Sequence, residues 1–187
     1  GETIRAIVKE VRKGNSGPVI VISRSDNMFL RRLFEIEIPE IYDGIIEIKS
    51  IAREPGERAK IAVESQDARI DAVGACVGMK GVRIHAIVRE LNNENIDVVS
   101  YSDDPIIFIQ KSLAPAKLKK IELDEDEKKA VVTADSDQVS LIVGRNGVNI
   151  RLAMKLTGYE IEILREEKPF EEYEEDIELI DIKEELG

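Results

Sequence analysis

The chain has 187 residues, 27 Lys and Arg against 38 Asp and Glu, a formal net charge of −11 and a hydrophobic fraction of 43%. That length suits two or three small modules rather than one large core, and no apolar run is long enough to span a bilayer. The single cysteine excludes an internal disulfide and fits a reducing compartment, while no Trp and 4% aromatics argue against gripping bases mainly by ring stacking. Gly1-Glu2-Thr3-Ile4 lacks the basic-then-apolar pattern of a signal peptide. With no initiator Met, the sequence reads as a piece of a longer protein. The charge is unevenly spread. Residues 166–187 hold 11 acidic and 2 basic side chains, which leaves 27 acidic and 25 basic in residues 1–165. A local basic patch therefore remains open in spite of the overall sign.

In chain order, residues 3–11 and 18–23 read as two strands around a turn from Lys13 to Pro18. Asp26 caps a helix in which Met28, Phe29, Leu30, Leu33 and Phe34 recur at helical spacing, with Arg31 and Arg32 outside. After a turn at Asp43-Gly44 come strands at 45–51 and 58–64, joined through Glu54-Pro55-Gly56. A short helix near 68–77, a glycine loop, a helix from Val82 to about Asn92 and a strand at 96–101 close this unit. The same order recurs. Pro105 opens a helix through Ile106, Ile107, Ile109 and Leu113. Strands at 117–123 and 128–135 flank the turn Asp124-Glu125-Asp126-Glu127, and a helix near 136–143, a second glycine loop, a helix from Val148 to Thr157 and a strand at 159–164 follow.

This is an internal repeat of helix, two strands, helix, glycine loop, helix and strand. Gly78-Met79-Lys80-Gly81-Val82-Arg83-Ile84 aligns with Gly144-Arg145-Asn146-Gly147-Val148-Asn149-Ile150, and Lys60-Ile61-Ala62-Val63 with Lys129-Ala130-Val131-Val132. A Gly-x-x-Gly turn between helices lets a phosphate backbone come close, because neither glycine carries a side chain. The following helix presents free N–H groups and its positive dipole end at the same spot. Lys80 with Arg83, and Arg145 with Arg151, add charge at or one turn beyond each loop. Such a site holds an anionic strand without reading its sequence. For one copy, a plain tight turn explains the glycines as well. Two copies at the same place in a repeat, each with a basic residue inside the loop, favour the binding reading. A nucleotide-binding loop fails on spacing, since no Gly-Lys-Ser/Thr occurs and neither loop follows a strand.

Other residues carry less. His85, the single histidine, sits off the apolar stripe Ile84, Ile87, Val88, Leu91 and reads as exposed. Cys76 lies in an apolar run and reads as a buried, inert thiol. Asp103-Asp104 and Asp124-Asp126 suit a helix start and a hairpin turn. No metal-ligand cluster, catalytic triad or cofactor motif can be assembled, so an enzyme is not expected.

Two strands before the helix pair and one after it are the arrangement of the type II (bacterial) KH domain. The expected fold is thus α+β, two tandem KH domains of order α-β-β-α-α-β. Longer runs resemble the NusA family of bacterial transcription elongation factors. They are Phe29 to Glu35, Pro39-Glu40-Ile41, Ile51 to Lys60, Val73 to Gly78, Ser102 to Pro105 and Leu141 to Gly158. The resemblance covers residues 4–165. It implies that residues 1–25 are the last two strands of an OB-fold barrel, with KH domains at 26–102 and 103–165; the acidic tail at 166–187 matches no motif of the family and its role is open. Two strands cannot close a five-stranded barrel, so its RNA-binding face is expected to be missing. It further implies a cytoplasmic protein that binds single-stranded nascent RNA and modulates pausing, termination and antitermination. RNA polymerase would be engaged through parts outside this sequence, with no membrane involved. Carried onto this chain, the RNA contacts are Gly78, Met79, Lys80, Gly81 and Arg83, and Gly144, Arg145, Asn146, Gly147, Asn149 and Arg151. Two other classes compete: an RNA-binding accessory region of an exoribonuclease, and a protein-interaction scaffold whose loops are unused.

Overall fold

The structure, a computed structural model, describes residue 1 and residues 3–166. The expected acidic tail, apart from Glu166, lies outside the described residues. The chain opens with a hairpin, β1 (Ile7–Gly14) and β2 (Gly17–Ser23). Its turn is tighter than the six residues expected: Gly14 pairs with Gly17, leaving Asn15-Ser16 as the connection. Both strands leave apolar side chains in solvent, Val8, Val11, Ile20 and Ile22 among them.

The first α+β unit begins with α1 (Asn27–Glu37). Asp26 accepts the Met28 N–H at 2.9 Å, so the expected cap is the actual one. Phe29, Leu30, Leu33 and Phe34 form its buried stripe. A single turn, α2 (Pro39–Tyr42), leads into β3 (Ile46–Glu54) and β4 (Arg58–Ser65). Next come α3 (Ala72–Val77), α4 (Val82–Glu90) and β5 (Asn95–Ser100). The helix expected near 68–77 starts only at Ala72, because Asp67 turns the chain by accepting the Arg69 N–H and Asp71 then caps through Val73. In the sheet, β4 is central, antiparallel to β3 and parallel to β5.

Strand parity decides what each face of this sheet covers. Ala59, Ile61 and Val63 of β4 point into a core with α1, Cys76 and Ile87. A bulge between Ile48 and Ser50 resets the parity of β3, so Ile46, Ile48 and Ile51 all face that core. The intervening residues face the other way. Lys60 is buried there, its Nζ 2.9 Å from the Asp97 carboxylate, which also takes two bonds from Arg58. Burial raises the Asp97 carboxyl, but its two cations outweigh this and leave it below the ordinary range.

The second unit repeats the plan with α5 (Pro105–Ser112), β6 (Lys120–Asp124), β7 (Lys129–Asp135), α6 (Ser136–Val143), α7 (Val148–Thr157) and β8 (Glu160–Glu166). Its sheet has the same order, with β7 central, antiparallel to β6 and parallel to β8. Ile109, Leu113, Val132, Ala134, Ile142 and Ile161 fill its core. The two units share a third apolar cluster. Ala52, Ala62 and Val99, on the outer face of the first sheet, pack against Phe108 of α5 and Val148, Leu152 and Leu156 of α7. Ser50 Oγ donates to the Leu156 carbonyl at 3.1 Å, and Tyr101 meets Phe108 edge-on at 5.1 Å between centroids. Small residues on the sheet let α7 lie close to its backbone.

Candidate nucleic-acid interface

Both glycine loops have the same backbone. In the first, Gly78 ends α3, residues Met79–Gly81 make one 3₁₀ turn, and Gly81 starts α4. In the second, Gly144, Arg145–Gly147 and α7 repeat this. The φ angles run 74°, 54° and 77° at Gly78, Lys80 and Gly81, and 71°, 53° and 73° at Gly144, Asn146 and Gly147. Gly81 N–H closes onto the Gly78 carbonyl at 3.0 Å and Gly147 N–H onto Gly144 at 3.2 Å. Four positive φ values fall on glycine, where they cost nothing, and Asn tolerates the left-handed region better than Lys does.

The glycines also answer to packing. A Cβ on Gly78 would stand 2.9 Å from Arg83 Cγ, and one on Gly144 would stand 2.6 Å from Asn149 Cβ. The first glycine of each loop therefore makes room for the second residue of the helix that follows. The last glycines face His85 and Arg151, each 2.9 Å from a would-be Cβ.

Of the residues expected to touch RNA, Met79, Lys80, Arg145 and Asn146 are exposed at the loop tips. Among the described residues neither Lys80 nor Arg145 has an ion-pair partner. The other three side chains are engaged within the protein, Arg151 while remaining exposed. Arg83 donates one Nη1 to both Glu40 oxygens (3.1 and 3.0 Å) and to the Ala75 carbonyl (2.8 Å). Glu40 is held below its ordinary value by its own local backbone hydrogen bonding and then by Arg83. Asn149 is 5% exposed, and its amide donates to the Leu141 and Ile142 carbonyls at 3.0 Å each. The Asn149 NH2, expected at the RNA, is here occupied in capping the end of α6. Ala75 and Leu141 occupy the same place in the repeat, so Arg83 and Asn149 perform one task with different chemistry. Arg151 is likewise engaged, with Glu54 Oε1 and Oε2 (3.0 Å each) and the Asn146 carbonyl (2.5 Å). The sequence reading missed Glu40 and Glu54, whose partners lie 43 and 97 positions away.

The loops differ in their surroundings. Beside the first, Met79 and Val82 are 85% and 70% exposed and His85 is exposed, giving an apolar surface next to Lys80. Val148, the counterpart of Val82, is 4% exposed because it is packed against the first sheet. Cys76 is buried behind the first loop, and burial pushes its thiol up to about 12, so it stays protonated. Among the described residues no His, Cys, Asp and Glu cluster could hold a metal ion, and no helix is long and apolar enough to cross a membrane.

Two strands, a helix, a glycine loop, a helix and one parallel strand, present twice in succession, define a tandem type II KH protein. The family model of the NusA-like first KH domain matches residues 24–101, and that of the NusA-like second KH domain matches residues 105–171. The chain belongs to the NusA family. It is 47% identical over 165 residues to the transcription termination/antitermination protein NusA of Bacillus subtilis, covering 88% of this chain and 44% of that protein. It is 48% identical over 161 residues to the Thermus thermophilus protein of the same name, 86% and 42% covered. For the Rickettsia prowazekii protein the figures are 44% over 197 residues, 100% and 39%. The chain thus spans less than half the length of these relatives. The crystal structure of APE1850 shares the fold at a TM-score of 0.54 and 21% identity, covering 74% of this chain and 96% of that one.

Proposed function

We propose that this chain binds single-stranded RNA on its two glycine loops, as part of a transcription factor acting on pausing, termination and antitermination. The observation that carries the reading is the pair of loops with matching backbone angles, each with an exposed cation, Lys80 or Arg145, free of ion pairs among the described residues. Phosphates would be held by these cations and by the N–H groups opening α4 and α7. Met79 and Val82 offer apolar contact for bases beside the first loop. The names of the relatives support the transcriptional role. RNA polymerase would be bound by parts of the protein outside this chain, in the cytoplasm and without catalysis. In this reading the units run over 26–102 and 103–165. The β1–β2 hairpin is the end of an OB-fold barrel, whose other strands would cover Val11 and Ile20.

Fluorescence anisotropy of a labelled single-stranded RNA at two salt concentrations tests it. Wild type is compared with Met79→Asp/Lys80→Asp, with Arg145→Asp/Asn146→Asp, and with all four changes together. The glycines stay, so the fold should survive. Weakening in each two-residue variant, loss in the combined one and a smaller salt slope are expected. Unchanged, salt-insensitive binding would reduce the loops to turns and favour the scaffold reading.

A further inference from the structure

We infer that Glu54, at the end of β3 in the first domain, is a positioning residue for the glycine loop of the second. The inference rests on the RNA-binding reading above. Glu54 grips Arg151 through both carboxylate oxygens, and Arg151 turns its remaining nitrogen to the Asn146 carbonyl inside the loop. Lys155 Nζ lies 3.6 Å from the same carboxylate. A fork-to-fork pair fixes the plane of the guanidinium as well as its place. That plane then holds the carbonyl side of the peptide between Asn146 and Gly147, whose N–H side is already bound to the Gly144 carbonyl. The held carbonyl is the negative pole of the loop, and turning it onto a cation keeps it from opposing an incoming phosphate.

The first loop has no such arrangement. His85 stands where Arg151 does in the repeat, and among the described residues its side chain makes no hydrogen bond or ion pair. The second loop alone is tied to the other domain, where Val148 also docks. The sign of one substitution separates this role from its simplest rival. If Glu54 were merely an anion near the RNA, removing its charge would tighten binding and free Arg151 for phosphate.

The experiment measures RNA affinity and the ¹⁵N–¹H resonances of Gly147 and Gly81 in wild type, Glu54→Gln and Glu54→Asp. It adds the charge-swapped Glu54→Arg/Arg151→Glu. Glu54→Gln should bind RNA about threefold more weakly, the scale of one surface carboxylate–guanidinium pair. Its Gly147 resonance should move while Gly81 stays, and Glu54→Asp should recover part of both effects. In the Arg145→Asp/Asn146→Asp background the substitution should add nothing. The charge swap restores the tie between domains but leaves the Asn146 carbonyl without its donor, so affinity should remain low. Unchanged or tighter binding by Glu54→Gln, or full rescue by the swap, would overturn the inference. If wild type itself binds no RNA, the functional reading falls, and an unmoved Gly147 resonance in Glu54→Gln overturns the positioning role separately.

Discussion

Leu152 is the residue to remove to learn whether the two domains act as one body. It is fully buried and projects from α7 onto the outer face of the first sheet, among Ala52, Ala62, Val99, Phe108, Val148 and Leu156. Leu152→Ala deletes three carbon atoms there, and buried Leu→Ala changes cost about 2–5 kcal/mol depending on how far the cavity relaxes. Relaxation is restricted here. The floor of the cavity is strand backbone carrying alanines, and Ser50 pins α7 at Leu156. The cost should fall in the upper half of that range. For a domain pair of this size each kcal/mol lowers Tm by about 2–4 °C, so a drop of about 7–20 °C is expected. Calorimetry reads the shift, and circular dichroism with tyrosine fluorescence reports whether the domains melt together. A single transition, displaced for both probes, is the expected result. A drop smaller than about 2 °C would mean that the seam contributes no packing energy. A split into two transitions would mean that the domains fold independently.

Four further outcomes follow from the structure. Glu94 accepts two bonds from buried Arg53 and one from the Gly56 N–H. Glu94→Ala should therefore cost about 3–5 kcal/mol in urea unfolding, and a cost below about 1 kcal/mol would contradict burial of that charge. Gly158 (φ 77°, ψ 12°) lies in the left-handed region that other residues can enter, whereas Gly144 (φ 71°, ψ 176°) lies in one essentially reserved for glycine, and a Cβ there would also meet Asn149. Thermal melts should show Gly144→Ala more destabilised than Gly158→Ala by at least about 1 kcal/mol, and equal losses would contradict both costs. Arg151 beside Glu54 holds that carboxyl below its ordinary 4.5. Its stabilisation is complete above pH 4.5 and fades as pH falls through the lower folded-state value. The Tm difference between wild type and Glu54→Gln should shrink below pH 4.5, and a difference constant with pH would exclude the linkage. Cys76 should resist iodoacetamide at pH 8 until the protein unfolds, while rapid native labelling would contradict its burial.

Much of the plan was open to reading because it is local. The α1 stripe, the Asp26 and Asp104 caps, the glycine pairs and the repeat all lie within a few residues of one another. Long-range partners were not open in this way. Arg83 and Arg151 look from the sequence like free cations beside a phosphate site; only folding brings Glu40 and Glu54 to them. Asn149 looks polar and available, yet the same helix start that displays the loop buries it. The seam left the weakest trace. Ala52, Ala62 and Val99 are small and alternate with residues of the other face, and the bulge between Ile48 and Ser50 hides even that alternation. Strand ends also moved: β6 begins at Lys120 rather than 117, since Lys117 N–H is taken by Gln138 Oε1 instead of the ladder.

The seam treats the first sheet as a platform on which a further copy of the same unit is stacked. Ladder register shows what the second sheet would offer in turn. Ala52, Ala62 and Val99 correspond there to Asp124, Val131 and Glu162, both of the acidic ones exposed. A third unit seated in the same way would bury two unpaired carboxylates beneath an apolar helix, which is prohibitive. The outward face of the second sheet is thus polar where that of the first is apolar, and an apolar helix such as α7 has no matching seat on it.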